Sequence, residues 1–165
     1  MSIFPPAFCT KAAAILEQCT GRELTIATAE SCTGGLLSAI LTELPGSSAM
    51  FTHGFITYAN EAKNQLVGVS PELIHAHGAV SEPVARAMAD GALRASGASI
   101  AIAITGIAGP SGGENKPVGT VHFAIAQQGR ATRHEHKIFA GDRSQIRLAA
   151  TENALDLILA ILVRR

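Results

Sequence analysis

The stretch Ser99-Ile-Ala-Ile-Ala-Ile-Thr105 decides how this chain folds, because its five inner residues are all apolar and uncharged. A continuous run of this kind is typical of a central parallel strand that is covered on both faces. The stretch Leu24-Thr-Ile-Ala-Thr-Ala29 is predicted to be a second, shorter buried strand. We therefore expect a sheet in the middle of the molecule with helices packed on both sides of it.

The segments around these two strands predict the remaining elements. Apolar residues at helical spacing predict helices over 6–19, 36–44, 62–67 and 81–96, and a final helix that follows Asp142. Alternating residues predict a strand over 50–59, and a hairpin over 118–126 and 132–139 that turns at Gln128-Gly129. Asn60 is predicted to cap the helix over 62–67, and Asp142 to cap the last helix. Because the hairpin forces an antiparallel pair, the predicted fold is a three-layer α/β/α sandwich with a mixed, mostly parallel sheet.

Composition narrows the class of protein. The 165 residues, of which 47% are hydrophobic and 16% charged, predict a single folded domain over 1–165 and exclude a disordered chain. Thirteen basic residues balance thirteen acidic ones, which argues against a nucleic-acid or anionic-membrane binder. The N-terminus shows no signal-peptide pattern, and the uncharged stretch 95–113 has too few apolar residues to span a membrane. We therefore expect a soluble, cytoplasmic protein.

The turn Ser31-Cys-Thr-Gly-Gly35 joins a predicted strand to a predicted helix. Free backbone N–H groups and the positive end of the helix dipole make such a turn suitable for holding a phosphate or an oxyanion. Ser31 is a candidate nucleophile, although a serine at this position can also serve only as a helix N-cap. Cys32 is a rival nucleophile for which the sequence offers no acid–base partner. Together with Cys9 and Cys19 it shows no CxxC spacing, so no disulfide framework or Cys-type zinc site is predicted.

The segment Tyr58-Ala-Asn-Glu-Ala-Lys63 follows the third predicted strand. A lysine on a short helix is usually solvated, but burial can lower its pKa from about 10.4 towards 7 and free a lone pair to deprotonate a serine. The chain lacks the local S-x-x-K arrangement, so any pairing of Ser31 with Lys63 must form across the fold.

A glycine-rich loop, Thr105-Gly-Ile-Ala-Gly-Pro-Ser-Gly-Gly113, follows the central strand. Ligand crevices in α/β folds lie beyond the carboxyl ends of the strands, and glycines let the backbone approach a ligand. The GxxGxxG spacing, without a following GK[ST], disfavours a Rossmann or Walker-type site. A flexible surface loop is the alternative interpretation.

Two arginines, Arg143 and Arg147, lie one helical turn apart on the last predicted helix. Their guanidinium groups could bind a phosphate or carboxylate, or they could pair with Asp142 or Glu152 on the surface. The histidine pairs 75/77 and 134/136 each have i, i+2 spacing, but no HExxH motif is present and the second pair lies in a charged stretch typical of a solvated edge strand. A metal site is not predicted.

Six ordered segments carry a resemblance to a known family: AESCTGG (29–35), GFITYANEAK (54–63), GAVSEPVA (78–85), TGIAGPSGG (105–113), KPVGTVHFA (116–124) and FAGDR (139–143). Together they resemble the C-terminal domain of competence/damage-inducible protein A (CinA), a domain that also occurs alone as nicotinamide-nucleotide amidase. The resemblance extends over 24–147, which is most of the chain.

The resemblance implies hydrolysis of the carboxamide of nicotinamide mononucleotide to nicotinate mononucleotide and ammonia in pyridine-nucleotide salvage. It implies no metal or other cofactor, a homodimer, and a serine nucleophile with a lysine base, here Ser31 and Lys63. Backbone N–H groups around Thr33, Gly34 and Gly35 are expected to bind the oxyanion, and Tyr58, expected beside Lys63, could help to protonate the ammonia. Thr105 and Gly106 are expected to contact the pyridine-amide end of the substrate, and the loop around Gly109 and Gly112 is expected to hold the 5′-phosphate together with Arg143, with Arg147 as a second candidate arginine. The candidate catalytic residues are Ser31, Lys63, Tyr58 and Thr105, and the candidate substrate-binding residues are Thr33, Gly34, Gly35, Asn60, Gly106, Gly109, Gly112, Arg143 and Arg147.

Two alternatives remain open at the level of sequence. One is a non-catalytic nucleotide-binding module that regulates competence or the response to DNA damage and uses the same glycine turns and arginines. The other is a protein that acts only through interaction partners in DNA uptake. The zero net charge and the 4% content of aromatic residues argue against direct contact with nucleic acid.

Overall fold

The computed structural model describes residues 2–163 of the chain, so Met1, Arg164 and Arg165 of the predicted 1–165 domain lie outside the described residues. The elements follow the order α1 (Pro6–Thr20), β1 (Ile26–Glu30), α2 (Leu36–Thr42), β2 (Phe51–Ile56), α3 (Asn60–Val67), α4 (Pro71–His77), α5 (Glu82–Ser96), β3 (Ile100–Gly106), β4 (Thr120–Gln127), β5 (Arg133–Ile138) and α6 (Arg143–Val163). A single 3-10 turn over Ser47–Ala49 precedes β2.

The five strands form one mixed sheet in the order β2-β1-β3-β4-β5. Strands β2, β1 and β3 are parallel, and β4 pairs antiparallel with both β3 and β5, so four of the five strands run in the same direction. The predicted α/β sandwich with a mixed sheet is confirmed. The predicted hairpin of β4 and β5 is also confirmed, and it turns at Gly129, whose φ is 72°.

Strand β3 shows why the sheet has two different faces. Its isoleucines, Ile100, Ile102 and Ile104, pack with α1, α2 and α6 in one core, whereas Ala101 and Ala103 pack with α5 in the other. The small alanine side chains let α5 lie close to the sheet, while the larger isoleucines fill the space under three helices. Helices therefore cover both faces of the sheet, as the uncharged sequence of β3 indicates.

Three local predictions were incomplete or wrong. Helix α4 was missed because it has only seven residues, although Ser70 followed by Pro71 is a typical helix start, and Ser70 Oγ accepts the N–H of Leu73 at 3.1 Å. The strand predicted over 50–59 is shorter in the structure, where β2 covers only Phe51–Ile56. Asn60 is not a cap but the first residue of α3, because Ala59 takes the N-cap position in an extended conformation.

The last helix begins as predicted. Asp142 Oδ1 accepts the N–H of Gln145 at 2.9 Å, and Gln145 Oε1 accepts the N–H of Asp142 at 2.8 Å. This reciprocal pair satisfies backbone donors at the start of α6. Among the residues that the structure describes, no helix combines the length and the apolar character needed to cross a membrane.

Candidate active site

The carboxyl ends of β1 and β3 bring the candidate residues together. Ser31 N–H donates to the carbonyl of Ile104 at 2.9 Å, which fixes the start of the 31–35 turn against the end of β3. Thr57 N–H donates to the carbonyl of Glu30 at 2.8 Å, so the residues after β2 also reach this edge. The site therefore forms where three parallel strands end side by side, as is usual for α/β folds.

Glu30 is a buried carboxylate that holds the turn in place, and the sequence analysis did not single it out. Only 1% of Glu30 is exposed. Its two oxygens accept five hydrogen bonds of 2.6–3.1 Å, from the hydroxyls of Thr33 and Ser38 and from the N–H groups of Gly35, Leu37 and Ser38. A negative side chain at a helix N-terminus is favourable, and Glu30 serves this purpose for α2.

The use of these donors changes the expected oxyanion site. Gly34 N–H donates to the carbonyl of Ser31 at 3.1 Å and Gly35 N–H donates to Glu30, so neither is free to bind an oxyanion. Within residues 2–163, the N–H groups of Cys32 and Thr33 have no hydrogen-bond acceptor. Of the three predicted donors, Gly34 and Gly35 are therefore engaged, and Thr33 lacks an acceptor but has no exposed surface, whereas Cys32, which was not predicted, is 5% exposed.

Ser31 faces Lys63 rather than capping a helix. Gly35 occupies the N-cap of α2, without a side-chain hydrogen bond, so the interpretation of Ser31 as a mere N-cap is wrong. Lys63 Nζ lies 3.2 Å from Ser31 Oγ, and it also donates to the carbonyls of Thr57 at 2.9 Å and Tyr58 at 3.2 Å. The two side chains meet although they are 32 residues apart in sequence.

The environment of Lys63 favours the neutral amine. The residue is 1% exposed, and no carboxylate forms an ion pair with it in the part of the chain that the structure describes. Removal from water lowers the pKa of Lys63 below its ordinary value of 10.5, and the nearby Cys32 and, more weakly, Glu114 oppose this with smaller effects.

The environment of Cys32 disfavours the thiolate that an activated cysteine nucleophile needs. Its side chain is buried, and burial raises the pKa of the Cys32 thiol to about 12. A thiol with this pKa stays protonated at neutral pH, and the thiolate is the reactive form. Cys32 is therefore a packing residue next to the turn.

Tyr58 contacts Lys63 through its backbone and not through its phenol. Its carbonyl accepts from Lys63 Nζ, whereas its hydroxyl accepts from Arg143 at 3.1 Å, and 59% of the residue is exposed. Arg143 also donates to the carbonyl of Gly109 at 2.6 Å. The expectation that the Tyr58 hydroxyl lies beside the lysine amine is therefore not met, because the phenol projects outward to Arg143.

Thr105 and Gly106 end β3 next to the turn. Thr105 is 1% exposed and its hydroxyl donates to the carbonyl of Ala79 at 2.8 Å, so this hydroxyl proton is already engaged. A Cβ on Gly106 would lie 2.8 Å from Val121 Cγ2 and 3.0 Å from Cys32 Sγ. Gly106 therefore lets the end of β3, the neighbouring β4 and the turn approach one another.

The loop over 106–117 is fixed, so the interpretation as a flexible surface loop is not supported. Lys116 N–H donates to the carbonyl of Gly113 at 2.9 Å and closes a tight turn. At its tip, Glu114 accepts the N–H groups of Ala79 at 2.8 Å and Val80 at 3.0 Å. Lys116 Nζ donates to the carbonyl of Val80 at 2.5 Å and to Glu114 at 3.2 Å. Glu114 and Lys116, which the sequence analysis did not identify, clamp this loop onto the segment before α5.

The glycines of this loop relieve close contacts within it. A Cβ on Gly109, whose φ is 90°, would lie 2.8 Å from Val118 Cγ1, and a Cβ on Gly112 would lie 2.7 Å from the carbonyl oxygen of Lys116. Both glycines are thus required by the shape of the loop, whatever they contact in a ligand.

The two arginines of α6 diverge. Arg147 Nε donates to the carbonyl of Cys32 at 3.0 Å, and one of its terminal nitrogens donates to the carbonyl of Thr33 at 3.1 Å. Arg143 instead reaches Gly109 and Tyr58, at an exposed position. Neither pairs with Asp142 or Glu152 among the described residues, and Glu152 pairs with Lys11 at 2.9 Å.

A cavity of about 490 Å³ lies against α3 and α4. Its lining includes Asn60, which was predicted to bind substrate, but neither Ser31 nor Lys63. It touches the site through Ala79, whose carbonyl accepts the Thr105 hydroxyl. The residues that line it are Asn60, Glu61, Asn64, Gln65, Pro71, Ile74, His75, Gly78, Ala79 and Glu114.

The histidines of the predicted edge strand pack on His122, which is the register partner of Thr105 on the neighbouring strand β3. His134 and His136 occupy one side of β5, the charged edge strand of the sheet, and both rings stack on His122 of β4. Burial first, and then the charges of the two neighbouring imidazoles, lowers the pKa of His122 to about 4. Within residues 2–163 no three His, Cys, Asp or Glu side chains are placed to hold a metal ion.

Comparison with known proteins places this chain in a family. The sequence profile of the CinA C-terminal domain matches residues 9–162. The nicotinamide-nucleotide amidohydrolase PncC of Escherichia coli K12 is 51% identical over 138 residues, which are 83% of this chain and 84% of that protein. A CinA-like protein of Mycobacterium tuberculosis is 57% identical over 141 residues, which are 84% of this chain but 32% of that protein.

Solved structures agree with this match. The crystal structure of competence/damage inducible protein CihA from Agrobacterium tumefaciens superposes with a TM-score of 0.94 at 44% identity, and the match covers 98% of this chain and 99% of that one. Among the curated relatives, however, many are longer: for four of them the match covers 33–37% of their length, so this chain spans about a third of each.

Proposed function

This chain belongs to the CinA C-terminal domain family, and we propose that it hydrolyses the carboxamide of nicotinamide mononucleotide to nicotinate mononucleotide and ammonia. The observation that carries the proposal is the buried contact of 3.2 Å between Lys63 Nζ and Ser31 Oγ. A hydroxyl beside a desolvated amine is the arrangement that a serine nucleophile needs. The name of the Escherichia coli relative supports the choice of substrate, and the product belongs to pyridine-nucleotide salvage.

The first step of the proposed reaction is the activation of Ser31. A neutral amine has two N–H donors and one lone pair. The carbonyls of Thr57 and Tyr58 accept the two N–H groups of Lys63, which leaves its lone pair to accept the Ser31 hydroxyl proton. Because burial lowers the pKa of Lys63, the neutral form that this step needs is favoured.

The second step is attack on the carboxamide. Ser31 Oγ forms a bond to the amide carbon while its proton passes to Lys63, and the carbonyl oxygen of the substrate becomes an oxyanion. The N–H of Cys32, which has no backbone acceptor and belongs to a residue that is 5% exposed, is the donor of this turn that supports binding of that oxyanion. A preorganised donor of this kind typically contributes about 3–4 kcal/mol to the stability of the transition state.

The remaining steps return the enzyme to its starting state. Lys63 gives its proton to the amide nitrogen as the C–N bond breaks, so that ammonia leaves and an acyl ester remains on Ser31. Water then attacks the ester carbon, passes a proton to Lys63, and releases the nicotinate carboxyl group as the proton returns to Ser31 Oγ. Tyr58 needs no part in proton transfer, since its hydroxyl bonds to Arg143.

Substrate binding is assigned from charge and position. Arg143 is an exposed cation near the site, and an arginine suits the 5′-phosphate. Asn60 lies one helical turn before Lys63 and lines the cavity, where its amide could bond to the sugar hydroxyls. Gly106, Gly109 and Gly112 shape the backbone that faces the ligand.

The test is ammonia release from nicotinamide mononucleotide in excess EDTA by the wild type, Ser31→Ala and Cys32→Ala. Cys32→Ala is the matched control, because it removes the neighbouring side chain of similar size without removing the hydroxyl. We expect Ser31→Ala to lose at least roughly 10³-fold in kcat, since a covalent mechanism has no other nucleophile, while Cys32→Ala stays within about tenfold of the wild type.

Each other outcome rejects part of the proposal. Turnover that survives Ser31→Ala would reject the nucleophile. A wild type that binds the nucleotide in calorimetry without releasing ammonia would reject the enzyme and favour the regulatory nucleotide-binding module.

A further inference from the structure

We infer that Gly91 is a positioning residue for the reaction: because it has no side chain, α3 can lie close enough to α5 to bring the Lys63 amine to Ser31. Gly91 contacts neither the substrate nor the reacting atoms, so it acts only through the helix that carries the base. The inference rests on the proposed function, because it assigns Gly91 a role in placing the base of that reaction.

Gly91 lies in the interior of a helix, where glycine is unfavourable. It is a buried residue of α5, which extends on both sides of it. Glycine is among the least favourable residues in a helix interior, because its backbone loses the most conformational freedom on folding. Other buried positions of the same helix carry alanine, namely Ala85, Ala89 and Ala92. The absence of even a methyl group at position 91 therefore needs a reason in the packing.

The reason is the backbone of Val67, the last residue of α3. A Cβ on Gly91 would lie 1.7 Å from the Val67 carbonyl oxygen, 2.8 Å from its carbonyl carbon and 3.1 Å from its Cβ. Non-bonded carbon atoms are best separated by about 3.5–4.0 Å, so the first two contacts are severe clashes. Both of these atoms belong to the backbone, so no side-chain rotation relieves them. An alanine at position 91 therefore requires α3 to move away from α5 by on the order of 1 Å.

The face of α3 that packs here also carries the proposed base. Lys63 and Val67 are the two buried residues of this helix, and they lie one helical turn apart. The chain that leaves α3 is tied to the same turn, since Val69 N–H donates to the carbonyl of Lys63 at 3.1 Å. Because α3 has only eight residues, about two turns, a displacement at Val67 is transmitted to Lys63.

The amine of Lys63 has partners that do not move with α3. It lies 3.2 Å from Ser31 Oγ, 2.9 Å from the carbonyl oxygen of Thr57 and 3.2 Å from that of Tyr58, and all three residues precede the helix. An outward movement of α3 stretches these contacts and lets water reach the amine. Water reverses the desolvation that lowers the pKa of Lys63. A misplacement of about 1 Å by a remote substitution can cost 10²-fold in rate.

The experiment compares Gly91→Ala with Gly21→Ala, which adds the same methyl group at the end of α1. Gly21 has a φ of −66°, and a Cβ there would lie 3.4 Å from the carbonyl oxygen of Glu17, which is ordinary contact. We expect Gly91→Ala to lower kcat for nicotinamide mononucleotide roughly 10–100-fold and to leave KM within about threefold, because Arg143 does not lie on α3. Gly21→Ala should keep both constants within about twofold of the wild-type values.

The titration of Lys63 separates positioning from a general loss of stability. In protein labelled with ¹³C at the lysine ε-carbons, the signal that Lys63→Met removes should titrate at least about 0.5 pH unit higher in Gly91→Ala than in the wild type. The plateau of kcat/KM should move to higher pH by the same amount. Gly21→Ala should change neither. A folded Gly91→Ala protein with the wild-type kcat and the wild-type Lys63 titration would overturn the inference.

Val67→Ile is the second variant, and it decides the question if Gly91→Ala does not fold. It adds one methylene to the other side of the same contact, where a flexible side chain rather than the backbone meets α5. Overpacking of this kind shifts neighbouring groups slightly, so we expect a loss of about threefold in kcat and a smaller rise in the Lys63 titration. Thermal melting shows whether each variant is folded, and a folded Val67→Ile protein unchanged in both readouts would count against the inference.

The two proposals can fail separately. A wild type that releases no ammonia would refute the proposed function, and the Lys63 titration would still test the role of Gly91 without turnover. An active wild type together with an unchanged Lys63 titration and kcat in folded Gly91→Ala would refute the inference alone.

Discussion

Lys63 and Lys116 both donate to backbone carbonyls, but of the two only Lys116 forms an ion pair with a carboxylate in the part of the chain that the structure describes. Lys63 Nζ contacts the carbonyls of Thr57 and Tyr58 and the hydroxyl of Ser31. Lys116 Nζ contacts the carbonyl of Val80 and, at 3.2 Å, the carboxylate of Glu114, while 28% of its side chain stays exposed. Lys116 is therefore a partly exposed lysine with a counter-ion. Lys63 is a buried lysine that, among the described residues, has no counter-ion.

The difference shows how this fold gives two lysines different electrostatic environments. An ammonium group that loses water without gaining a carboxylate is destabilised, so burial lowers the pKa of Lys63. An ammonium group that keeps both water and a counter-ion is a structural cation, and Lys116 uses its charge to clamp the loop to the segment before α5. Within residues 2–163 no carboxylate forms an ion pair with Lys63, and this environment supports the proposed role of Lys63 in proton transfer.

The largest expected effect comes from removing each lysine in turn. Lys63→Met removes the proposed base and should lower kcat by roughly 10³-fold, since general base catalysis typically contributes 10²–10⁴-fold. Lys116→Met removes a loop contact and should lower kcat only about threefold. Ammonia release measures kcat of both variants, and thermal melting shows whether they are folded. Equal losses of kcat in two folded variants would show that Lys63 does not differ from Lys116 in its role in the reaction.

The pH dependence of turnover provides a sharper test of the comparison. Lys63 acts as a base only when neutral, so kcat/KM should fall about tenfold per pH unit below the pKa of Lys63 and level off above it. Because burial lowers this pKa, the curve should level off below pH 10.5. A plateau reached only at pH 10.5 or above would contradict the assigned environment of Lys63.

Direct titration checks the same assignment without turnover. In a protein labelled with ¹³C at the lysine ε-carbons, the signal that Lys63→Met removes should titrate below pH 10.5.

The smallest expected effect is that of Glu114→Gln, which takes away the counter-ion of the clamp. Partial burial acts to raise the pKa of Glu114, but hydrogen bonds from Val80 N–H, Lys116 and Ala79 N–H outweigh it and hold the pKa below 4.5. The ionised carboxylate therefore stabilises the fold above pH 4.5, and this contribution is lost as the pH falls through the lowered pKa. Since the side chain is partly exposed, we expect a loss of roughly 0.5–1 kcal/mol in the free energy of unfolding at pH 7.

Urea unfolding of the wild type and Glu114→Gln at several pH values measures this contribution. The difference between the two proteins should narrow as the pH drops below 4.5, and kcat should change by less than about threefold. A difference that stays constant down to pH 2 would show that the Glu114 carboxylate is not the stabilising group.

Much of the fold follows from the local pattern of the sequence. The apolar run that forms β3 predicted a buried strand, and the turn at Gln128-Gly129 predicted the hairpin. Both depend on interactions between neighbours in sequence, which a single chain shows. Helix α4 was missed because seven residues carry too little helical periodicity to stand out, and Asn60 was placed as a cap because the backbone conformation of Ala59 is not visible in the sequence.

The residues of the candidate site also divide into those that sequence motifs identified and those that only the structure revealed. Ser31 and Lys63 were identified from motifs, but Glu30, Glu114 and Lys116 were not, because a lone charged residue in a loop looks the same whether it is solvated or holds a backbone in place. The glycines of the turn were expected to donate to an oxyanion, and the structure shows that Glu30 and Ser31 already occupy their N–H groups.

The sequence by itself determined the buried strands, the helices around them and which residue types stand at the strand ends, because these depend on periodicity along the chain. Only the tertiary structure decided that the Lys63 amine meets the Ser31 hydroxyl, that no carboxylate among the described residues pairs with this amine, and that Arg147 donates to the turn from the last helix of the chain. These facts depend on which distant groups share one low-dielectric space, and desolvation and hydrogen-bond direction exist only once the chain has packed.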